Sequence, residues 1–156
     1  MVERHRQIRE ISRRNQSDEL IDAGINRIRK TWAKLGSRKL RAGPYGKQHL
    51  LQEIYTIYCG WRDQGLTAQI WARLAARLSG QTIDRSTHLL DLLIRLALPQ
   101  VQRNVATTWV DAICYGEMRH VRPFKLRGFL FVKGGLVQCA RLYRKTQQDR
   151  RALAGR

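Results

Sequence analysis

The sequence predicts an all-α protein, a compact bundle of about five to seven helices with basic, partly flexible termini. Apolar residues recur at helical spacing through almost the whole chain. Its three prolines, Pro44, Pro99 and Pro123, each stand where such a pattern ends or begins. With 156 residues, 43% of them hydrophobic, the chain can bury one core. One domain over 17–145 is therefore expected, between basic tails at 1–16 and 146–156.

The first helix is expected from Ser17 to about Leu35. Ser17 or Asp18 serves as its cap, and Leu20, Ile21, Ile25, Ile28 and Trp32 follow a 3.6-residue period, with Arg27, Lys30 and Lys34 on other faces. The stretch from Gly36 to Gly46 cannot continue it. Arg38, Lys39, Arg41 and Lys47 surround Gly43-Pro44-Tyr45-Gly46, a cationic loop suited to phosphates. Residues 47–63 are expected to form a central helix, because Leu50, Leu51, Ile54, Tyr55, Ile57, Tyr58 and Trp61 make an apolar face too wide for a surface helix. Gly65 ends it.

Thr67 is expected to cap a helix carrying Ile70, Trp71, Leu74, Ala75 and Leu78. Ser79-Gly80-Gln81-Thr82 break it, and another helix starts near Asp84, with Ile83, Leu89, Leu90, Leu93 and Leu96 inward. After Pro99, Val101, Val105, Trp109, Ala112 and Ile113 mark a helix to about Tyr115, with Gly116 as terminator. Pro123 starts a short helix through Phe131 that buries Leu126, Phe129 and Leu130. Lys133-Gly134-Gly135 then opens a last helix with Leu136, Val137, Ala140, Leu142 and Tyr143 inside and Arg141, Arg144 and Lys145 elsewhere. From Thr146 the apolar period fades, so both chain ends are read as frayed tails that add electrostatic affinity and order on a partner.

Charge dominates the functional reading. Thirty Lys and Arg face twelve Asp and Glu, a net charge of +18. Residues 118–156 hold eleven basic groups and one acid, Asp149, whereas 43–117 hold seven basic groups and six acids. A nearly neutral apolar middle thus separates two cationic arms whose self-repulsion a polyanion would offset. Solubility alone needs a net charge of only about 2 to 8. The densest run, Arg119-His120-Val121-Arg122-Pro123-Phe124-Lys125-Leu126-Arg127, interleaves cations with His and Phe, a composition for backbone neutralisation with stacking on bases or sugars. At Lys133-Gly134-Gly135, N–H groups at a helix start beside a lysine offer an anion site. The plainer reading is a tight turn, and the Walker spacing is absent.

Other chemistries find little footing. Cys59, Cys114 and Cys139 lack a Cys-x-x-Cys spacing and read as reduced thiols, so neither disulfides nor a metal or cofactor is expected. The acids are scattered; Asp18, Glu19 and Asp22 offset a helix dipole rather than form a catalytic cluster. His5, His49, His88 and His120 are isolated, so an enzyme is not expected. No apolar run reaches the roughly 18 residues of a membrane span. A cytoplasmic protein is expected, associated with the nucleoid if it binds DNA.

One local pattern carries a resemblance. Leu74-Ala75-Ala76-Arg77-Leu78-Ser79 followed by Ile83-Asp84-Arg85-Ser86-Thr87-His88-Leu89-Leu90 resembles a helix-turn-helix over 67–95. The resemblance implies that Gln81, Arg85, Ser86 and His88 face DNA, with Arg85 on a phosphate or guanine. The alternative is an ordinary helical hairpin in the core.

Three function classes follow. The first is a small DNA-binding regulatory protein in which the core presents basic arms, with Arg38, Lys39, Arg41, Lys47, Arg119, His120, Arg122, Lys125, Arg127, Lys133, Arg141, Arg144 and Lys145 on the backbone. The second is an RNA-binding or ribonucleoprotein subunit, favoured by the 119–127 run. The third is an adaptor or inhibitor on an acidic protein surface. An apolar stripe on the first helix or on 101–113 leaves a homodimer open.

Overall fold

The computed structural model describes residues 1–36 and 44–155, with side chains described from Lys47 onward in the second span. Among the described residues, seven α-helices and one 3-10 turn account for 79%, and there are no strands. They are α1 (Val2–Lys34), α2 (Pro44–Asp63), α3 (Thr67–Arg77), α4 (Leu89–Ala97), α5 (Arg103–Met118), α6 (Leu126–Val132) and α7 (Leu136–Ala154), with a 3-10 turn at Pro123–Lys125 leading into α6. The expected all-α bundle is the observed architecture.

α2 is central. Its Leu50, Leu51, Ile54, Tyr55, Ile57, Tyr58, Cys59 and Trp61 are buried, the wide apolar face that the sequence predicts. α1 lies along it through Ile21, Ile25 and Ile28, and packs on α3 and α4 as well. Gly24 sets the α1–α2 separation: a Cβ there would stand 3.0 Å from Trp61 Cζ2 and 3.1 Å from Ile57 Cγ2. α5 and α7 make the most extensive helix pair. Fully buried Leu and Ile side chains such as Ile54, Leu74, Leu90, Leu93 and Ile113 hold these layers in one apolar cluster, each contributing about 1.5–3 kcal/mol. No described helix is long and apolar enough to cross a membrane.

Several helix boundaries differ from expectation, each for a visible reason. α1 starts at Val2, not at Ser17. No glycine or proline interrupts 2–16, Ser17 is buried, and Asp18 accepts hydrogen bonds from Arg73 and Arg77 of α3 instead of capping. Thr67 is the first helical residue, not the cap. α4 starts at Leu89, five residues beyond Asp84. The intervening residues satisfy one another locally: Ser86 N–H donates to Asp84 Oδ1, Asp84 N–H to Thr87 Oγ1, and Thr87 N–H to Asp84 O. Trp71 Nε1 fixes this turn by donating to Thr87 O at 2.8 Å.

α5 runs through Gly116 to Met118. Gly116 is there for closeness rather than termination, since a Cβ would lie 2.7 Å from Leu126 Cδ1. α7 continues beyond Lys145 to Ala154 although it buries only Cys139 and Ala140.

Candidate nucleic-acid interface

The acids are largely consumed inside the fold. Asp18 takes Arg73 and Arg77, Asp22 takes Arg77, Glu53 takes Arg27, Asp91 takes Arg95, Asp111 takes Arg144, and Glu117 approaches Arg62 at 3.5 Å. The hydrogen bonds from Arg73 hold the Asp18 carboxyl below its ordinary range. All of these pairs except Asp91–Arg95, which lies within α4, bind helices to one another, and they leave the cations of 119–133 without carboxylate partners among the described residues.

That surface grows from the end of α5. The helix closes with Val121 N–H donating to Gly116 O and His120 N–H to Glu117 O, both at 2.9 Å, a Schellman closure. The left-handed position, usually glycine, is held by His120 with φ 56°. The chain then extends through Arg122, and Pro123 opens the 3-10 turn. Tyr55 donates its hydroxyl to Val121 O at 2.7 Å, and Leu126 and Leu130, fully buried, fasten the segment from below. Arg119, His120, Arg122, Lys125 and Arg127 are consequently exposed on an anchored turn.

Phe124 stands among them with 66% of its surface exposed, and Lys125 Nζ lies 5.8 Å from its ring centroid. His120, Val121, Arg122 and Phe124 form a ridge between two open hollows. One, of about 630 Å³, continues over Lys125, Gly128, Phe129 and Val132. The other, of about 470 Å³, reaches Tyr55, Cys59, Arg62, Asp63 and Glu117. Phe131, Val132 and Lys133 extend the exposed surface to the end of α6.

No family model, curated protein or solved structure matches the chain.

The remaining site residues distribute unevenly. Arg141 and Lys145 are exposed on α7, but Arg144 donates to Asp111 Oδ2 at 2.6 Å and to Thr108, so its charge is compensated, contrary to expectation. Gln81, Arg85 and Ser86 are exposed in the 79–88 connection rather than on a helix. His88 turns inward: its Nδ1 accepts from Leu90 N–H at 3.1 Å as the α4 cap, and its ring packs 5.6 Å from that of Tyr58. Burial pulls its pKa below the usual histidine value. It is a structural residue, and the expectation that it faces DNA is corrected. Lys47 lies in a separate hollow, and Arg38, Lys39 and Arg41 lie outside the described residues.

Sequence reasoning missed Arg62, which joins the ridge's second hollow, and Glu117 beside it. Glu117 Oε1 accepts from the Tyr58 hydroxyl while Oε2 is buried without a hydrogen bond. Arg62 follows Tyr58 by one helical turn, a usable signal; Glu117 sits on another helix, and no local spacing reveals it. The thiols are unreactive by environment: burial pushes Cys114 up to about 12 and Cys139 up to about 11, and raises Cys59 as well. No group of three or more His, Cys, Asp or Glu that would hold a metal ion occurs among the described residues.

Proposed function

We propose that the protein binds nucleic acid through the 119–133 surface, with unpaired bases stacking on Phe124 and phosphates held by Arg119, Arg122, Lys125 and Arg127. The observation that carries this reading is an exposed aromatic ring set among cations that no carboxylate neutralises among the described residues. An exposed Phe ring stacks on any base, and the surrounding cations track the backbone. Arg141 and Lys145 on α7, and Arg4, Arg6, Arg9, Arg13 and Arg14 on the outer half of α1, add charge without base recognition.

A second reading, duplex DNA regulation, draws on the exposure of Gln81, Arg85 and Ser86. In that case the 79–88 connection, and not an α4 recognition helix, meets the duplex. Leu89, Leu90, Leu92, Leu93 and Ile94 of α4 are buried and unavailable to a groove.

Fluorescence anisotropy against duplex DNA, single-stranded DNA and structured RNA at two salt concentrations, with heparin as a bare polyanion, tests the readings. Single-strand or loop binding that survives higher salt better than heparin binding is the expected result. A preference for duplex moves the weight to the second reading. Equal, wholly salt-sensitive binding to every polyanion refutes both in favour of a charge-steered protein partner.

A further inference from the structure

The two hollows that flank the Phe124 ridge differ in charge. The one over Lys125 and Gly128 is lined by no acid, whereas the one of about 470 Å³ on the other side carries Glu117 and Asp63, with Arg62 and His120 beside them. Carboxylates repel phosphate oxygens, so a strand's backbone belongs on the acid-free side. The acidic hollow suits a group rich in N–H donors.

Glu117 gives that suitability a definite geometry. Tyr58 of α2 donates its hydroxyl to Oε1 at 3.3 Å, whereas Oε2 is buried and accepts no hydrogen bond. Arg62 Nη1 lies 3.5 Å from Oε2, an ion pair without hydrogen-bond geometry. A buried carboxylate oxygen is ordinarily hydrogen-bonded, and a bare one destabilises the fold unless a further group completes it. A structural tie between α2 and α5 explains why Arg62 and Glu117 are neighbours but leaves Oε2 unsatisfied. The Arg62 side chain is 41% exposed and its two ion pairs, to Glu117 and Asp63, are both 3.5 Å long, so its guanidinium can shift toward a ligand.

We infer that this hollow selects guanine in the bound strand, an inference that rests on the stacking of an unpaired base on Phe124. The Watson–Crick edge of guanine carries two adjacent donors, N1–H and N2–H, and one acceptor, O6. Glu117 supplies two carboxylate oxygens for the donors, each with two lone pairs, and Arg62 supplies an N–H for O6. Adenine and cytosine each turn a ring-nitrogen acceptor toward the carboxylate, and uracil flanks its single N–H with two carbonyls. Those bases set lone pair against lone pair, and guanine does not. Phe124 lines the same hollow and holds the ring, while Glu117 and Arg62 read its edge.

The test is fluorescence anisotropy of the full-length protein with uridine oligonucleotides carrying guanine, adenine, cytosine, inosine or uridine at one central position, at physiological salt. The guanine strand is expected to bind about 5- to 150-fold more tightly than the uridine strand, the discrimination of one good bidentate pair. Inosine, which lacks the N2 amino group, should fall between them, and this arm needs no change in the protein. Glu117→Gln, which keeps an acceptor for Tyr58, should bring the guanine strand down to the affinity of the adenine strand. Glu10→Gln, which removes a negative charge from the outer half of α1, should keep the preference. Guanosine monophosphate as competitor separates the sources of the base: displacement only far above the strand's Kd supports selection within a strand, and displacement at that Kd overturns it in favour of the free nucleotide. Equal affinity for all the strands, or a guanine preference that survives Glu117→Gln, overturns the inference and leaves stacking on Phe124 standing. Binding of no strand overturns both.

Discussion

Replacing Arg122, Lys125 and Arg127 together by glutamine removes three exposed cations that have no carboxylate partner among the described residues. Each phosphate contact contributes about 0.7 to the log-affinity versus log-salt slope on a single strand and about 0.9 on a duplex. Three contacts therefore flatten the slope by about 2.1 or 2.7 units. Between 50 and 200 mM salt, wild-type affinity should consequently fall about 18-fold more than that of the variant on a single strand, and about 40-fold more on a duplex. Anisotropy titrations at four salt concentrations measure this directly. Arg73→Gln with Arg144→Gln is the control, because these arginines are bound to Asp18 and Asp111; it should lower thermal stability and leave the slope nearly unchanged. An unchanged slope in the triple variant, or an equal flattening in the control, refutes the assignment of the interface to 119–127.

Phe124→Ala should weaken single-strand binding by about 1–3 kcal/mol with an unchanged melting temperature, since the ring is largely exposed; equal binding by titration refutes stacking. His120→Gly should raise stability by about 1 kcal/mol, because glycine takes the left-handed position without a Cβ penalty, and calorimetry showing a lower midpoint contradicts the cap described. His88 has a depressed pKa in the fold, so its contribution is present above about 6.5, the unfolded value, and is lost as pH falls through the folded value. Glu117, Asp91 and Asp111 favour its charged form and temper the loss. Melting from pH 7.5 to 5 should show this decline, and His88→Asn, which keeps a cap, should reduce it. Gly24→Val should cost about 1–3 kcal/mol by overpacking against Trp61 and Ile57, as read by denaturant unfolding; a neutral result means that α1 and α2 can separate.

The helices were legible because their apolar spacing is set by the same core that buries them: Leu50 through Trp61 reads as a two-sided face and is one. Boundaries were less legible where polar residues had competing uses. Asp18 has the composition of a cap but serves Arg73 and Arg77, 55 and 59 positions away. Gly116 has the composition of a terminator but admits Leu126. Asp84-Arg85-Ser86-Thr87 has helix-start chemistry and closes on itself as a turn instead. Within the candidate surface, the exposed cations were readable from the 119–127 run, since an acid-poor stretch has no local partner. Compensation of Arg144 by Asp111 and the inward turn of His88 depend on contacts between elements, which composition does not encode.

The length of α1 has a consequence for how the molecule opens. Its inner half, from Ser17 onward, is held by α2, α3 and α4, whereas residues 2–16 touch no buried surface and extend about 22 Å as a free helical lever. Amide exchange along this single helix should therefore be graded, slow at Ile21 to Ile28 and fast toward Val2, with no break in secondary structure marking the change. Glu3 and Glu10 only partly separate the outer arginines, so their mutual repulsion weakens the lever. A polyanion laid along it would remove that repulsion and slow exchange there first, so the chain end would register occupancy before the core does.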